Sequence, residues 1–182
     1  MTEKQEFHIA DAFLFYEQFI LKYSQDKAQI YERYGFTLQG SIGSRDWEVL
    51  AAILLGDRAR VGDGADLMHH EVKSAVIGNS FEYQYHKNTG IKKLNTDKTV
   101  DHVFISRNEI YTNVAVWLVD RAYLIPIFDG WQPELESNYD STTRQRFRKS
   151  VSHGFVCQHG QKIFSVSEGQ LETGIGSELP TD

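Results

Sequence analysis

Apolar residues dominate the first helical segment that the sequence predicts. Residues 7–23 carry apolar or aromatic side chains around most of a helix's circumference, whereas an ordinary surface helix has a single apolar stripe. Such a helix is either buried on several sides in the core or meets a second subunit, and the pattern leaves both interpretations open. A second helix is predicted at 25–34, followed by a strand or loop at 37–43.

A third helix is predicted at residues 44–55. Ser44 is a candidate N-cap, and Asp46 and Glu48 lie in the first turn, where the helix dipole favours negative charge. Gly56 provides a C-terminal stop. The apolar stripe consists of Trp47, Leu50, Ala51, Leu54 and Leu55.

Residues 80–88 alternate aromatic with polar side chains, which is typical of a strand with one buried face. Gln84 and His86 lie on the polar face of this strand. Together with Asn88 they are candidates for contacts with the base edges or phosphates of a nucleic acid. The same alternation also fits an amphipathic strand whose polar side simply faces water.

Two helices and several strands are predicted after residue 88. The first helix covers 89–99 and exposes two lysines, Lys92 and Lys93. The second helix covers 120–127 and is not expected to continue, because prolines remove backbone hydrogen bonds from a helix interior. These prolines are Pro126 and Pro133. The strands are buried ones at 101–106 and 110–119 and a hairpin-like pair at 147–166.

The composition is that of an ordinary single-domain protein. A chain of 182 residues is long enough for one core and short for two, and 41% apolar and 24% charged residues are usual proportions. There is no run of about 18 apolar residues to predict a membrane span. No glycine-rich phosphate-binding motif predicts a nucleotide cofactor. Cys157 is the only cysteine, so no internal disulfide can form and a cytoplasmic location is expected.

Positive charge is concentrated toward the C-terminal end. The net charge of the chain is −6, yet residues 141–167 contain five basic residues and no acid. We expect this segment to contact DNA, although a solvated edge strand would carry the same charge pattern. Arg144, Arg146 and Arg148 alternate, so on a strand they would share one face. Lys149 adds a further charge beside them.

The residues with the clearest chemical signature lie between 62 and 75. Asp66 follows a glycine-rich turn, and Glu71 and Lys73 flank Val72 on a predicted strand. Side chains at i and i+2 share a strand face, so Glu71 and Lys73 point together while Val72 points into the core. A short turn can bring Asp66 beside them. This group suits phosphodiester hydrolysis, because carboxylate oxygens hold Mg²⁺ and a lysine stabilises developing charge. An acid and a lysine two residues apart also occur by chance on solvated strands.

The sequence places an acid on a helix, then Gly-Ala-Asp-Leu, then Glu-x-Lys-Ser on a strand. This order resembles the PD-(D/E)XK nuclease superfamily, and most of all its type II restriction endonucleases. The matching core covers residues 44–76, and Ala65 stands where the superfamily's proline would precede the aspartate. The resemblance implies an α/β (α+β) fold with a restriction-endonuclease-like core, in which a central mixed β-sheet is flanked by α-helices.

The same resemblance implies a role for each matching residue. Asp66 and Glu71 would bind Mg²⁺, with the Val72 carbonyl as a further ligand. Lys73 would be the catalytic lysine, and Glu48 an accessory acid.

Later segments resemble small homodimeric restriction enzymes that leave blunt ends. The shared features are a polar stretch after the catalytic strand and a closing His-Gly-x-Lys-Ile-aromatic sequence at 159–164. They imply a homodimer that reads DNA with its middle and C-terminal parts. The expected organisation is one nuclease domain, 1–182, with a helical dimerisation region at 1–36, a catalytic core at 44–128 and a basic DNA-contacting segment at 141–167.

The sequence therefore predicts a type II restriction endonuclease that hydrolyses double-stranded DNA at specific sequences with Mg²⁺. Family resemblance adds a homodimer in a bacterial or archaeal cytoplasm, with no membrane partner and no nucleotide cofactor. Two alternatives stay open: a repair or nicking nuclease of the same superfamily that acts as a monomer, and a catalytically inactive DNA-binding domain. The joint presence of Asp66, Glu71 and Lys73 favours an active enzyme.

Overall fold

The computed structural model of the protein describes residues 6–62, 64–140 and 146–173. The helices in these ranges are α1 (Ile9–Phe15), α2 (Lys22–Arg33), α3 (Ser44–Leu55), α4 (Gly90–Asp97), α5 (Arg121–Asp140) and α6 (His153–His159), with a π-helical segment, Tyr16–Leu21, between α1 and α2. The strands are β1 (His70–Val76), β2 (Phe81–Tyr85), β3 (Asp101–Arg107), β4 (Val114–Val119), β5 (Phe147–Val151), β6 (Gln161–Ser167) and β7 (Gln170–Leu171). The predicted α/β (α+β) class is confirmed.

A mixed sheet of five strands lies at the centre, in the order β1-β3-β4-β6-β7. β1 runs parallel to β3, and the other neighbouring pairs are antiparallel. β1 is therefore an edge strand, and no strand of the described ranges pairs with its outer side. β2 and β5 form a separate antiparallel ribbon, so the polar strand that comes after β1 leaves the main sheet.

Hydrophobic side chains cover both faces of the central sheet. On the first face, Val103 and Ile105 of β3 pack with α1, the π-helical segment and α3. On the second face, Phe104 packs with the β2–β5 ribbon and with α4, α5 and α6. β3 is buried on both sides because other elements cover both faces. Val72 of β1 belongs to the first cluster, so its neighbour Glu71 points toward the second face.

α3 has the predicted bounds, but its cap differs from the prediction. The N-cap is Gly43 rather than Ser44, and the Gly43 N–H donates to Asp46 Oδ2 at 3.2 Å. Gly56 ends the helix with φ +63°, a left-handed conformation that glycine adopts without a Cβ clash. The apolar stripe of α3 packs on the sheet, and Glu48 lies beside this stripe, half-buried.

Residues 9–33 form one continuous helical run instead of the two helices predicted. Its buried residues recur at every fourth position, at Ala12, Tyr16, Ile20 and Ser24. In a regular α-helix, three such steps would turn Ser24 about 120° away from Ala12. The wider turn of the π-helical segment reduces this drift and keeps all four residues toward the core.

Part of this run's remaining apolar surface is exposed. Phe19 and Tyr23 keep 56% and 49% of their surface accessible, and Leu14 and Ile30 are similar. The run is therefore not buried on several sides within one chain, while its contact with a second subunit stays a prediction. No helix of the described ranges, this run included, is long and apolar enough to cross a membrane.

Two later predictions are wrong. α5 continues through Pro126 and Pro133, because buried side chains such as Leu124 and Leu135 hold it against the core despite the backbone hydrogen bonds that proline removes. The segment 147–166 is not a hairpin. β5 pairs with β2, the short helix α6 comes next, and β6 pairs with β4 in the main sheet.

Candidate active site

β1 presents Glu71 and Lys73 together, as the spacing predicts. The Lys73 Nζ donates to Glu71 Oε1 and also lies 4.9 Å from the ring centre of Tyr83. The Glu71 side chain is 1% exposed, so the carboxylate is enclosed in protein rather than solvated. Val72 is 7% exposed and points to the opposite face. The interpretation of this pair as a solvated strand pair is therefore excluded by its burial.

The turn before β1 brings Asp66 to the same place. Two hydrogen bonds close it: Asp66 N–H donates to Glu71 Oε2 at 3.2 Å, and Val72 N–H donates to Asp66 Oδ2 at 3.1 Å. Because the Val72 N–H faces the open edge of the sheet, and the N–H and C=O of a strand residue point to the same side, the Val72 carbonyl faces that edge too. The predicted meeting of Asp66, Glu71 and Lys73 is thus present, and Val72 offers its carbonyl beside them.

Asp57, which no sequence pattern singled out, holds this turn in position. It lies just after the end of α3 and accepts hydrogen bonds from Arg58 N–H and His69 N–H. His70 Nδ1 lies 2.7 Å from Asp57 Oδ2. Burial alone would raise the pKa of Asp57, but these hydrogen bonds outweigh burial and hold the pKa below its usual value. Asp57 therefore joins α3 to the start of β1.

Glu48 of α3 reaches the site across a cleft of about 300 Å³. The cleft is lined by Ser44, Trp47, Glu48, Asp66, Val72, Lys73 and Ser74. Arg45 Nη1 lies 2.6 Å from Glu48 Oε2, so Glu48 is partly neutralised from its own helix. Burial, together with repulsion from Asp66, raises the pKa of Glu48. Burial, together with repulsion from Glu71, raises the pKa of Asp66. Three carboxylates are thus close enough to repel one another.

Lys93 of α4 is a further site residue, and its predicted exposure is wrong. Its Nζ lies 2.5 Å from Glu71 Oε2 and 2.7 Å from Asp97 Oδ1. Burial lowers the pKa of Lys93, but Glu71 and Asp97 outweigh burial and leave the pKa raised. The same two lysines, Lys73 and Lys93, overcome the effect of burial on Glu71 and hold its pKa below the usual value. Glu71 is therefore ionised between two ammonium groups.

Asp97 connects this site to a buried polar network. Tyr85 O–H donates to Asp97 Oδ2 at 3.0 Å, and burial with repulsion from Glu71 raises the pKa of Asp97 to about 6. His102 Nε2 lies 2.8 Å from the Asp97 carbonyl, which can only accept, so Nε2 carries the proton. His102 Nδ1 then accepts from Tyr83 O–H at 2.7 Å. Burial lowers the pKa of His102 to about 4, which keeps the ring neutral.

One sequence signal could have revealed this network. Leu94 and Asp97 are spaced i, i+3 and therefore share the buried face of α4. A carboxylate on a buried helix face requires a partner, and Lys93 lies four residues before Asp97, within reach on the same helix. This pairing, rather than solvent, accounts for the position of the Lys93 ammonium.

The predicted DNA-contacting residues are only partly brought together. Arg148 lies opposite Gln84 in the β2–β5 ribbon, and Arg146 Nη1 donates to Gln84 Oε1 at 3.1 Å. His86 and Asn88 are exposed but lie beyond the end of β2. Arg144 lies outside the described residues.

Two acids from other elements lie beside the basic side chains of β5, although segment 141–167 contains no acid. Glu82 Oε2 is 3.8 Å from Arg148 Nη1. Lys149 lies on the other face of β5 and donates to both carboxylate oxygens of Glu134, at 2.9 and 2.7 Å. Arg146 and Arg148 therefore remain on the open polar face of the ribbon, while Lys149 connects the ribbon to α5.

The site contains the oxygen donors that Mg²⁺ prefers, but not a preformed cage. Within the described ranges, no group of three or more His, Cys, Asp or Glu side chains is arranged to hold a metal ion. Mg²⁺ commonly keeps several waters and takes only one or two carboxylates from a protein. Asp66 Oδ1 accepts no hydrogen bond from any described residue, which leaves this oxygen available to a cation.

Comparisons with known proteins add no assignment. No family model matches the sequence, and no curated protein matches it. The function of the site must therefore be inferred from its own chemistry.

Proposed function

We propose that the protein is a type II restriction endonuclease, which hydrolyses double-stranded DNA at specific sequences with Mg²⁺. The observation that carries the proposal is the closed group of Asp66, Glu71 and Lys73. These side chains come from a turn and an edge strand and are joined by hydrogen bonds. Asp66 and Lys73 line an open cleft, and the buried Glu71 carboxylate lies behind them. A buried acid–lysine pair beside a second carboxylate is costly to maintain, which favours a chemical role over a structural one.

Mg²⁺ fits the oxygen donors of the turn and of β1. Asp66 and Glu71 would hold it, with the Val72 carbonyl as a further ligand at the open edge. Burial, together with repulsion among Glu48, Asp66 and Glu71, raises the pKa of Glu48 and of Asp66, and a bound cation would relieve the repulsion. When bound, Mg²⁺ supplies Lewis acidity toward the phosphate and lowers the pKa of water.

The side chains of the site would then act on the phosphate. Glu71 Oε1 orients the Lys73 ammonium, which lies at the cleft and stabilises negative charge as it develops on the phosphate oxygens. Asp57 fixes the turn that carries Asp66, so that the two carboxylates keep their separation. Glu48, whose pKa is raised by burial, is the accessory acid on the opposite wall of the cleft.

DNA contact and dimerisation complete the proposal. Arg146 and Arg148 would contact phosphates or bases, and Gln84, His86 and Asn88 are the candidates for base edges. The exposed apolar face of the helical run, which includes Phe19 and Tyr23, would bind a second copy. A two-fold dimer supplies one site for each strand of a palindromic sequence.

Cleavage of supercoiled plasmid DNA tests this function. The wild type is expected to linearise the plasmid only when Mg²⁺ is present. Asp66→Asn and Lys73→Met are each expected to lower the rate by at least about 10²-fold, the usual effect of losing a positioned catalytic group. Lys98→Ala is the matched control, since Lys98 binds Asp129 away from the cleft. A wild type without Mg²⁺-dependent cleavage, or variants that cut at its rate, would contradict the proposal.

A further inference from the structure

Glu71 is shared by two ammonium groups that come from different sides. Lys73 of β1 binds Oε1, and Lys93 of α4 binds Oε2 at 2.5 Å. The two lysines also line different cavities. Lys73 belongs to the cleft with Glu48 and Asp66, whereas Lys93 lines a second cavity of about 230 Å³ beside Gln84, His86 and Thr89. The buried carboxylate thus binds one lysine that lines the candidate active cleft and one lysine that lines a second cavity.

Lys93 binds a second carboxylate at the same time. Its Nζ is 2.7 Å from Asp97 Oδ1, and the Asp97 side chain is fully buried. Glu71 and Asp97 therefore share one cationic nitrogen, as two carboxylates can share a bound metal ion. With Lys73 included, two negative and two positive charges balance. Removing Lys93 would leave one buried negative charge in excess, beside the cavity that the Lys93 side chain lines.

We propose that the Lys93 ammonium is a built-in second cation, which occupies the space between Glu71 and Asp97 and limits each protomer to one divalent ion. The inference rests on the proposed function, because it assumes that Asp66 and Glu71 hold that single ion. Lys93 is a positioning residue in this account. It fixes the Glu71 carboxylate on the side away from the cleft, and it contacts no reacting atom.

The consequence is a change in the number of bound ions. Without the Lys93 side chain, Glu71 Oε2 and Asp97 Oδ1 would lose the cation that they share. Two carboxylates and water are enough to hold a small divalent ion. We therefore expect Lys93→Ala to create a second divalent site where the ammonium lies in the wild type, between Glu71 Oε2 and Asp97 Oδ1, and the added change Asp97→Asn to abolish it.

Counting Mn²⁺ by the electron paramagnetic resonance of the free ion tests this without DNA or activity. The wild type is expected to bind one Mn²⁺ per chain, Lys93→Ala two, and Lys93→Ala/Asp97→Asn one. Lys98→Ala, which removes a lysine–carboxylate contact elsewhere on the α4–α5 side, is expected to bind one. Two ions in the wild type, or one in a folded Lys93→Ala variant, would overturn the inference.

Asp66→Asn separates this inference from the proposed function. If it loses the wild-type ion while Lys93→Ala gains none, the function stands and the inference fails. If Asp66→Asn binds as many ions as the wild type, the proposed metal site fails.

A destabilised variant still gives a result. If Lys93→Ala is unfolded without metal, Mn²⁺ is expected to restore its circular dichroism, and it should not do so for Lys93→Ala/Asp97→Asn. Mn²⁺ without effect on Lys93→Ala, or with equal effect on both variants, would also overturn the inference.

Discussion

Lys93 of α4 donates to Glu71 of β1 at 2.5 Å, although 22 positions separate the two residues in the chain. This contact makes Glu71 the centre of the site, because its other oxygen binds Lys73 and its Oε2 also accepts from Asp66 N–H. A carboxylate with so many partners supports the fold as well as any chemistry. Substitutions at Glu71 and at Asp66 should therefore behave differently.

Glu71→Ala is expected to destabilise the protein strongly. Two partly buried ammonium groups, Lys73 and Lys93, would lose their shared partner, and removing one member of a buried ion pair costs about 3–5 kcal/mol. Asp66→Asn keeps its shape and should leave the free energy of unfolding nearly unchanged. Urea unfolding of both variants without metal measures the difference. Equal stability of the two would show that Glu71 does not hold the site together.

Acid should destabilise the fold through His102. Its folded-state pKa is about 4, below the ordinary 6.5, because the buried ring resists protonation. The neutral His102 ring contributes to the free energy of unfolding. This contribution is complete above pH 6.5 and is lost as the pH falls toward 4, because the unfolded chain takes up the proton first. The full effect is about 3 kcal/mol. In His102→Gln the free energy of unfolding should depend less on pH across this window. An unchanged slope would contradict the buried neutral ring.

Arg148 and Lys149 are neighbours that should affect DNA binding differently. Arg148 lies on the open polar face of the ribbon, whereas Lys149 is held by Glu134 on the other face. Arg148→Ala should weaken binding to all sequences and lower the salt slope by roughly one. Lys149→Ala is the matched control and should leave that slope unchanged. Binding measured in Ca²⁺ over a range of salt concentrations tests both variants. Equal salt slopes in the two variants would show that the β2–β5 ribbon is not part of the DNA interface.

The exposed face of the helical run predicts a dimer. Phe19 and Tyr23 are about half exposed on neighbouring turns, and apolar patches of this kind commonly mark subunit contacts. Sedimentation at micromolar concentration should give twice the 20.9 kDa chain mass, and Phe19→Glu/Tyr23→Glu should give the monomer. A wild-type monomer that still cuts both strands together would refute the dimer.

The local patterns of this chain predict its elements well. α3 has the predicted bounds because its apolar stripe, the first-turn acid Asp46 and the terminal Gly56 agree. β1 and β2 agree with their period-two spacing. The prediction failed where packing outweighs local preference. α5 passes through Pro126 and Pro133 because the core holds it, and β5 leaves its chain neighbour β6 to pair with β2.

The candidate site could be predicted only where its residues are close in sequence. Asp66, Glu71 and Lys73 lie within one turn and one strand, so their spacing was enough. Lys93 and Asp57 reach the same place through tertiary packing of α4 and the end of α3. Lys93 has one local signal, the acid Asp97 four residues later on the buried face of α4. Asp57 has none, because its immediate neighbours do not distinguish it from a solvated charge.

Mapping of DNA ends tests the central claim most directly. DNA of known sequence is digested with the wild-type protein and Mg²⁺, and the ends on both strands are sequenced. A restriction endonuclease should cut both strands at one short palindromic sequence wherever it occurs, and Asp66→Asn should produce no such ends. Ends at unrelated sequences, nicks in one strand only, or intact DNA would contradict the account.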